Sequence, residues 1–227
     1  MTTESSILLE SPLSVSGRSR IGTCPEVAIA ATGSYVPDQI VTNEDLAIHG
    51  CDSDWIVQRT GIRQRRKAGC DQASSDLAYE AALKCLASAG VEPSDVDLVI
   101  CATMTPDYVS PSTACVLQRR LGCIAPAFDV NAACSGFMYG LVTGGLFVRS
   151  GSARNALVRI IDAAVEHFGI SREKVFVNLD KYGNTSAASI PMAIDDANRQ
   201  GLLKRGDIIL LCGFGAGLSW GTALLRW

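Results

Sequence analysis

Near-continuous apolar runs alternate along this chain with amphipathic stretches. Asp97-Leu98-Val99-Ile100-Cys101-Ala102-Thr103 has no polar alternation, the mark of a strand covered on both faces in a parallel sheet. Val27-Ala28-Ile29-Ala30-Ala31-Thr32-Gly33 predicts a strand ending at a turn, with Pro37 closing it. Thr42-Asn43-Glu44-Asp45-Leu46 predicts an N-cap and a short helix. Asp76, Glu80, Lys84 and Ser88 recur every fourth position as the polar stripe of a helix over residues 74–89. Glu80 and Lys84 form a favourable pair on it and Gly90 stops it. Residues 112–121 predict a helix capped by Gly122.

Further on, Arg159-Ile160-Ile161-Asp162-Ala163-Ala164-Val165-Glu166-His167-Phe168-Gly169 predicts a helix with its glycine stop, and Val175-Phe176-Val177-Asn178-Leu179 a strand. Tyr182-Gly183-Asn184-Thr185-Ser186-Ala187-Ala188-Ser189 is a turn of small residues entering a helix that reaches about Gln200. Residues 208–212 predict a strand, Gly213-Phe214-Gly215-Ala216-Gly217 a glycine-rich loop, and 219–227 a last strand. Alternating strand and helix place the chain in the α/β class.

The chain is organised around Phe128-Asp129-Val130-Asn131-Ala132-Ala133-Cys134-Ser135-Gly136-Phe137 and the apolar run that follows. Residues 130–148 carry no charged side chain. The first part predicts a buried strand, and the second a helix apolar all round and therefore central. Gly136, Gly140 and Gly144 fall at helical spacing. Each glycine costs ~1 kcal/mol in a helix interior, so three on one face imply close apposition to another element. The break falls at Ala133-Cys134-Ser135, where strand hands over to helix. Unpaired N–H groups and partial positive charge there favour an anionic sulfur and offer amides to an oxyanion. That suits a cysteine nucleophile forming a thioester. A buried, inert cysteine is the competing reading on local features alone.

Composition narrows the field. The 227 residues are 48% hydrophobic with a formal net charge of −3, enough for one ordinary domain or two small halves. Slight acidity gives no general attraction to nucleic acid or anionic membrane. Residues 130–148 are too rich in Gly, Ser and Asn to read as a span of ~20 apolar residues. The nine cysteines form no C-x-x-C pair, and the two histidines, His49 and His167, lie far from any cysteine cluster. No metal site and no disulfide framework is expected, and a reducing cytoplasm is. The Ser-rich residues 1–25 lack the apolar core of a signal peptide and read as a flexible extension. Asp52 to Lys67 is a basic stretch with one exposed-type aromatic. It reads either as a solvated loop or as a site where Trp55 stacks on a base and Arg59 contacts phosphate.

Four stretches, in this order, resemble the beta-ketoacyl-[acyl-carrier-protein] synthase III family of the thiolase superfamily. They are Asp54-Trp55-Ile56-Val57-Gln58-Arg59-Thr60-Gly61-Ile62-Arg63, the segment from Asp129 to Phe137, the segment from Tyr182 to Ser189, and Gly213-Phe214-Gly215-Ala216-Gly217 before Trp220-Gly221. The resemblance covers almost all of the chain after Glu26. It implies a thiolase-like layered αβαβα fold of two related halves, residues 26–158 and 159–227, normally as a homodimer. It implies initiation of fatty acid synthesis, joining an acyl-CoA primer, usually acetyl-CoA, to malonyl-[acyl-carrier-protein] with loss of CO2. Cys134 resembles the acylated nucleophile, and the backbone amides of Cys134 and Ala216 the oxyanion hole. Asn184 resembles one of two side chains that polarise the malonyl thioester, while Trp55 and Arg59 resemble part of the CoA site. No cofactor is implied; acyl-CoA is substrate.

The departures are as informative. The family's catalytic histidine sits in a Pro-His-Gln-Ala-Asn-type turn leading into the helix that the segment from Arg159 resembles. Here Ser152-Ala153-Arg154-Asn155-Ala156-Leu157-Val158 precedes Arg159 and resembles the strand after the nucleophile helix instead. Segments normally far apart thus join between Val158 and Arg159. About a third of a family chain is missing, with the histidine, a Gly-Asp-Gly-Ala-Gly-type turn and further CoA contacts, so the second half is incomplete. Neither His49 nor His167 matches the missing residue by pattern. Lost strands imply unpaired edges, exposed apolar helix faces, and a chain that folds poorly or associates unusually. Ser110, before Pro111, stands where many family members have a phenylalanine lining the partner subunit's acyl pocket, which implies a primer longer than acetyl. Three functions follow as alternatives: an impaired condensing enzyme, an inactive shortened member acting as a dimerisation partner, or another acyltransferase of the superfamily needing only the cysteine step.

Overall fold

The structure is a computed structural model that describes residues 27–160, 175–216 and 219–227. The extension 1–25, His167 and the predicted helix from residue 161 onward lie outside the described residues. At its centre is a three-stranded parallel sheet in the order β4-β3-β5, with β3 Leu98–Ala102, β4 Ala127–Val130 and β5 Ala156–Ile160. Every residue of β3 is buried. Val99 and Cys101 face α2 (Ser74–Ala89) and α3 (Thr113–Leu121), packing with Ala78, Ala82, Leu86 and Leu117. Leu98, Ile100 and Ala102 face the opposite side, toward α4 (Gly136–Arg149). Period-2 alternation with both faces apolar accounts for the unbroken hydrophobic run. The ends of α2 and α3 fall where the sequence places them, with Gly90 and Gly122 in the left-handed conformation. Asp129 of β4 ties the start of α3 to the sheet by accepting the N–H groups of Thr113 and Ala114, each at 2.8 Å.

α4 lies on the sheet through its glycines. A Cβ on Gly140 would stand 3.0 Å from Val158 Cγ1, and one on Gly144 2.9 Å from Val158 Cγ2. The expectation that α4 is buried all round is corrected: Tyr139, Val142 and Leu146 are exposed. Beyond α4 lies an antiparallel hairpin of β6 (Ile208–Gly215) and β7 (Ser219–Arg226). Gly213 and Gly221 face Met138 of α4, where their missing Cβ atoms would come within 3.2 and 2.7 Å of its side chain. One cluster joins Ala102 of β3, Phe137 and Met138 of α4, Ile190 and Ile194 of α6 (Ser189–Arg199), and Leu211 of β6. Helices, sheet, helix and hairpin stack in that order. The outer face of the hairpin, with Ile208, Leu210, Phe214, Trp220 and Leu224, is exposed.

Several predicted elements differ. Residues 27–37 form no strand. They run between α2 and α6, with Gly33 so close to the α2 backbone that a Cβ would stand 2.4 Å from Cys85 N. Thr32 and Ser34 donate to the buried Asp195 of α6 at 2.8 and 2.6 Å. Side-chain bonds thus replace a ladder. Arg159 and Ile160 are strand, not helix, because β5 continues its pairing with Cys101 and Ala102 of β3 past Val158. Residues 175–178 are irregular, and Leu179–Tyr182 is a short helix, α5. Gly213 and Gly215 belong to β6, so the glycine-rich segment is mostly strand, with its turn at Ala216. The helix after Thr42 is a 3-10 segment, Glu44–His49, bounded by Thr42 Oγ1 donating to Asp45 Oδ2 at 2.9 Å. It follows β1 (Gln39–Thr42), which pairs antiparallel with β2 (Gln64–Lys67); between them lies α1 (Ser53–Thr60).

Candidate active site

β4 ends at Val130, a 3-10 turn spans Ala133–Ser135, and α4 begins at Gly136. Cys134 sits in that turn, half-buried. Ala133, just before it, has φ 45, a conformation that L-residues seldom adopt. Such strain persists only where surrounding structure over-determines it, and it clusters at functional sites. Here the turn is fixed by the Ser135 N–H donating to Ala132 O at 3.1 Å and the Ser135 hydroxyl donating to the same oxygen at 2.7 Å.

Two other segments close on this turn. The tip of the β6–β7 hairpin brings Gly215 against it; a Cβ there would stand 3.0 Å from the backbone nitrogens of both Cys134 and Ser135. Ala216 follows in the turn, and its carbonyl accepts the Ser219 hydroxyl at 3.3 Å. The second segment is the turn after α5. Gly183 has φ 70 and ψ −171, a conformation open to glycine, and a Cβ on it would stand 3.3 Å from Arg65 Cβ of β2. Asn184 Oδ1 accepts the Ser186 N–H at 2.9 Å, and the Ser186 hydroxyl donates to Cys134 Sγ at 2.9 Å. Asn184 also lines a hollow of about 390 Å³ with Arg65, Arg66, Tyr35 and Tyr182. Burial pushes the Tyr182 hydroxyl up, with the Asp196 carboxylate adding to it.

Ser186 thus links the Asn184 turn to Cys134, and Ala216 follows Gly215, which lies against the Cys134 amide, while the hollow that Asn184 lines does not include Cys134. Trp55 and Arg59 share an exposed face of α1, four residues apart. Their element connects to the Asn184 turn through Arg63, whose N–H donates to Asp180 O at 3.2 Å. Ser186 lies within the segment of residues 182–189, and its position two residues after Asn184 is the only sequence signal for it. Among the described residues the polar partner of Cys134 Sγ is this hydroxyl, and His49 is exposed at the end of its 3-10 segment. Burial pushes the thiols of Cys212 and Cys123 up. Among the described residues no cluster of three or more His, Cys, Asp or Glu stands ready for a metal ion, and no helix is long and apolar enough to cross a membrane.

Comparison with known proteins gives the chain's relatives. Residues 153–227 match the family model described as 3-Oxoacyl-[acyl-carrier-protein (ACP)] synthase III C terminal. The chain is 40% identical to the Beta-ketoacyl-[acyl-carrier-protein] synthase III of Rhodopirellula baltica, covering 91% of this chain and 100% of that one. It is 33% identical to the protein of that name from Desulfitobacterium hafniense, over 88% of this chain and 98% of the other. The crystal structure of 3-oxoacyl-[acyl-carrier-protein] synthase III from Aquifex aeolicus superposes with a TM-score of 0.80 at 31% identity, over 88% of this chain and 99% of that one. The corresponding Thermus thermophilus structure gives 0.83 at 26% identity, with coverage of 88% and 99%. The alignment with the Rhodopirellula protein spans 345 positions, 118 more than the 227 residues here, so at least that many positions inside it have no counterpart in this chain. The chain is thus a shorter polypeptide than relatives that it matches along their whole length, and it belongs to the beta-ketoacyl-[acyl-carrier-protein] synthase III family.

Proposed function

We propose that this chain is a condensing enzyme of fatty acid synthesis initiation in which acyl transfer to Cys134 outlives condensation. The observation that carries it is the convergence on Cys134 of the Ser186 hydroxyl, 2.9 Å from its sulfur, and the Gly215 backbone against its amide. In the first half-reaction the Cys134 sulfur attacks the carbonyl of an acyl-CoA, acetyl-CoA in the simplest case. The amides of Cys134 and Ala216 receive the oxyanion, and CoA leaves as its thiolate and takes up a proton. Trp55 and Arg59, four apart on an exposed helix face, offer a stacking surface and a guanidinium to the CoA moiety.

In the second half-reaction malonyl-[acyl-carrier-protein] loses CO2, and the carbanion attacks the acyl-cysteine, regenerating the Cys134 thiolate. That step needs the malonyl carbonyl oxygen held as it gains charge. Asn184 is one donor, and the family's histidine would be the second. Loss of one such donor typically lowers the rate 10²–10³-fold, ~3–4 kcal/mol. Incubation with acetyl-CoA and malonyl-carrier, followed by mass analysis of the carrier, tests this division. The expected outcome is acylated enzyme with little or no 3-oxoacyl-carrier; full turnover at family rates would refute it.

A second reading, a non-catalytic dimerisation partner, is favoured by the apolar hairpin face of Ile208, Leu210, Phe214, Trp220 and Leu224. Sedimentation distinguishes the two when combined with acylation: a stable dimer that never acylates supports the second.

A further inference from the structure

The Ser186 hydroxyl donates to Cys134 Sγ at 2.9 Å. Among the described residues, the non-glycine positions with positive φ are Ala133 and Ser186, at 45 and 49. Each stands at one end of that contact: Ala133 aims Cys134, and Ser186 aims its own hydroxyl. Both are conformations that the surrounding structure must hold in place. For Ser186 the holding is visible. Its N–H donates to Asn184 Oδ1 at 2.9 Å, the Ala188 N–H closes on Thr185 O at 3.2 Å, and Ala187 and Ala188 are buried behind it. The hydroxyl is pointed at the sulfur by a built turn.

We propose that Ser186 is a catalytic hydrogen-bond donor to Cys134, holding the sulfur in the anionic form that attacks the acyl-CoA carbonyl. The inference rests on the acyl-cysteine reading above and assigns this chain a polar partner for its nucleophile other than an imidazole. A serine hydroxyl does not act as a base near neutral pH, so Ser186 keeps its proton throughout. Cys134 gives its proton to solvent, its thiolate forms the new C–S bond, the C–S bond to CoA breaks, and the departing CoA thiolate takes a proton from solvent. A hydrogen bond to an ionised acceptor is roughly twice as strong as one to a neutral group. The hydroxyl therefore holds the attacking thiolate more firmly than the thiol it comes from.

The test is alkylation of Cys134 by iodoacetamide in the full-length chain, read by peptide mass across a pH series, for wild type and Ser186→Ala. The expected result is alkylation about tenfold slower near neutral pH in the variant, with the two rates converging at alkaline pH where the sulfur is ionised in both. Superimposable profiles overturn the proposal, and so does slowing by the same factor at every pH, which would mean altered access. Cys123, 2% exposed, reports folding in the same samples. If it labels rapidly in Ser186→Ala, Ser186→Gly takes its place, since it removes the same hydroxyl while relieving the positive φ; it must give the same pH-selective slowing. The readout needs no acyl-CoA. Hydroxyl-dependent alkylation in a wild-type chain that never takes up acetyl overturns the acyl-transfer reading and upholds Ser186. Acetyl uptake with superimposable profiles does the reverse.

Discussion

Gly215 lies so close to Cys134 that a Cβ on it would stand 3.0 Å from the Cys134 backbone nitrogen. The hairpin tip is thus laid on the peptide that carries the nucleophile, and glycine is what admits it. The same Cβ would meet Ser135 N at 3.0 Å and Ser219 Oγ at 2.4 Å. The serine hydroxyl can swing away; the two backbone nitrogens cannot.

Gly215→Ala should therefore lift the hairpin from the Cys134 turn. Overpacking of this kind typically costs about 1–3 kcal/mol. The expected outcome is a lower melting temperature together with a loss of Cys134 acylation larger than the loss of folded protein. Unchanged acylation in a folded variant would mean that the hairpin tip plays no part in the site.

Two adjacent glycines of α4 should respond with opposite sign. Alanine at Gly145 meets Val27 Cγ1 at 3.8 Å, ordinary contact. Gly145→Ala should stabilise by up to ~1 kcal/mol through helix propensity. Alanine at Gly144 meets Val158 Cγ2 at 2.9 Å, and overpacking of about 1–3 kcal/mol offsets or exceeds the same gain. Thermal melts of the two variants check the ordering, Gly145→Ala above wild type and Gly144→Ala at or below it.

Asp97 gives a pH signature. Its carboxylate accepts the N–H groups of Arg154 and Asn155 at 2.8 and 3.2 Å, and these bonds hold it below the usual carboxylate range. A group with a depressed folded-state value contributes stability that is present above its unfolded value, ~3.9, and lost as pH falls through the folded one. Wild type should lose melting temperature from about pH 4 downward more steeply than Asp97→Asn, and the two curves should converge in acid. Parallel curves would show that this joint between β3 and the start of β5 carries no titrating stability.

Ser110 bears on the primer. It is exposed in the segment before α3, next to Tyr108 and Val109, which are also exposed. A small residue in place of the phenylalanine that many family members carry should leave a wider acyl pocket in the proposed enzyme. Acylation of Cys134 by acetyl-, butyryl- and octanoyl-CoA should show the longer chains accepted, and Ser110→Phe should restore preference for acetyl. Strict acetyl preference in wild type would contradict this.

Much of the frame was legible because its signals are local. Gly90 and Gly122 mark helix ends by the conformation they adopt, and the apolar run of β3 records cover on both faces. The break at Cys134 showed as a change from strand-like to helix-like small residues. What failed depended on partners distant in sequence. Residues 27–33 have strand composition, yet they bond through Thr32 and Ser34 to Asp195. Arg159 and Ile160 read as the start of a helix, yet the ladder with β3 extends through them. Gly213 and Gly215 looked like loop glycines, and their actual demand is close approach to Met138 and Cys134. Ser186 stayed unassigned because nothing local predicts that a hydroxyl meets a sulfur 52 residues away.

The most direct measurement is the intact mass of the purified chain after incubation with acetyl-CoA, beside Cys134→Ala. Acyl transfer to Cys134 predicts a gain of one acetyl group in wild type, its absence in the variant, and its persistence when malonyl-carrier is added. A wild-type chain that gains nothing, or a variant that gains as much, would contradict it.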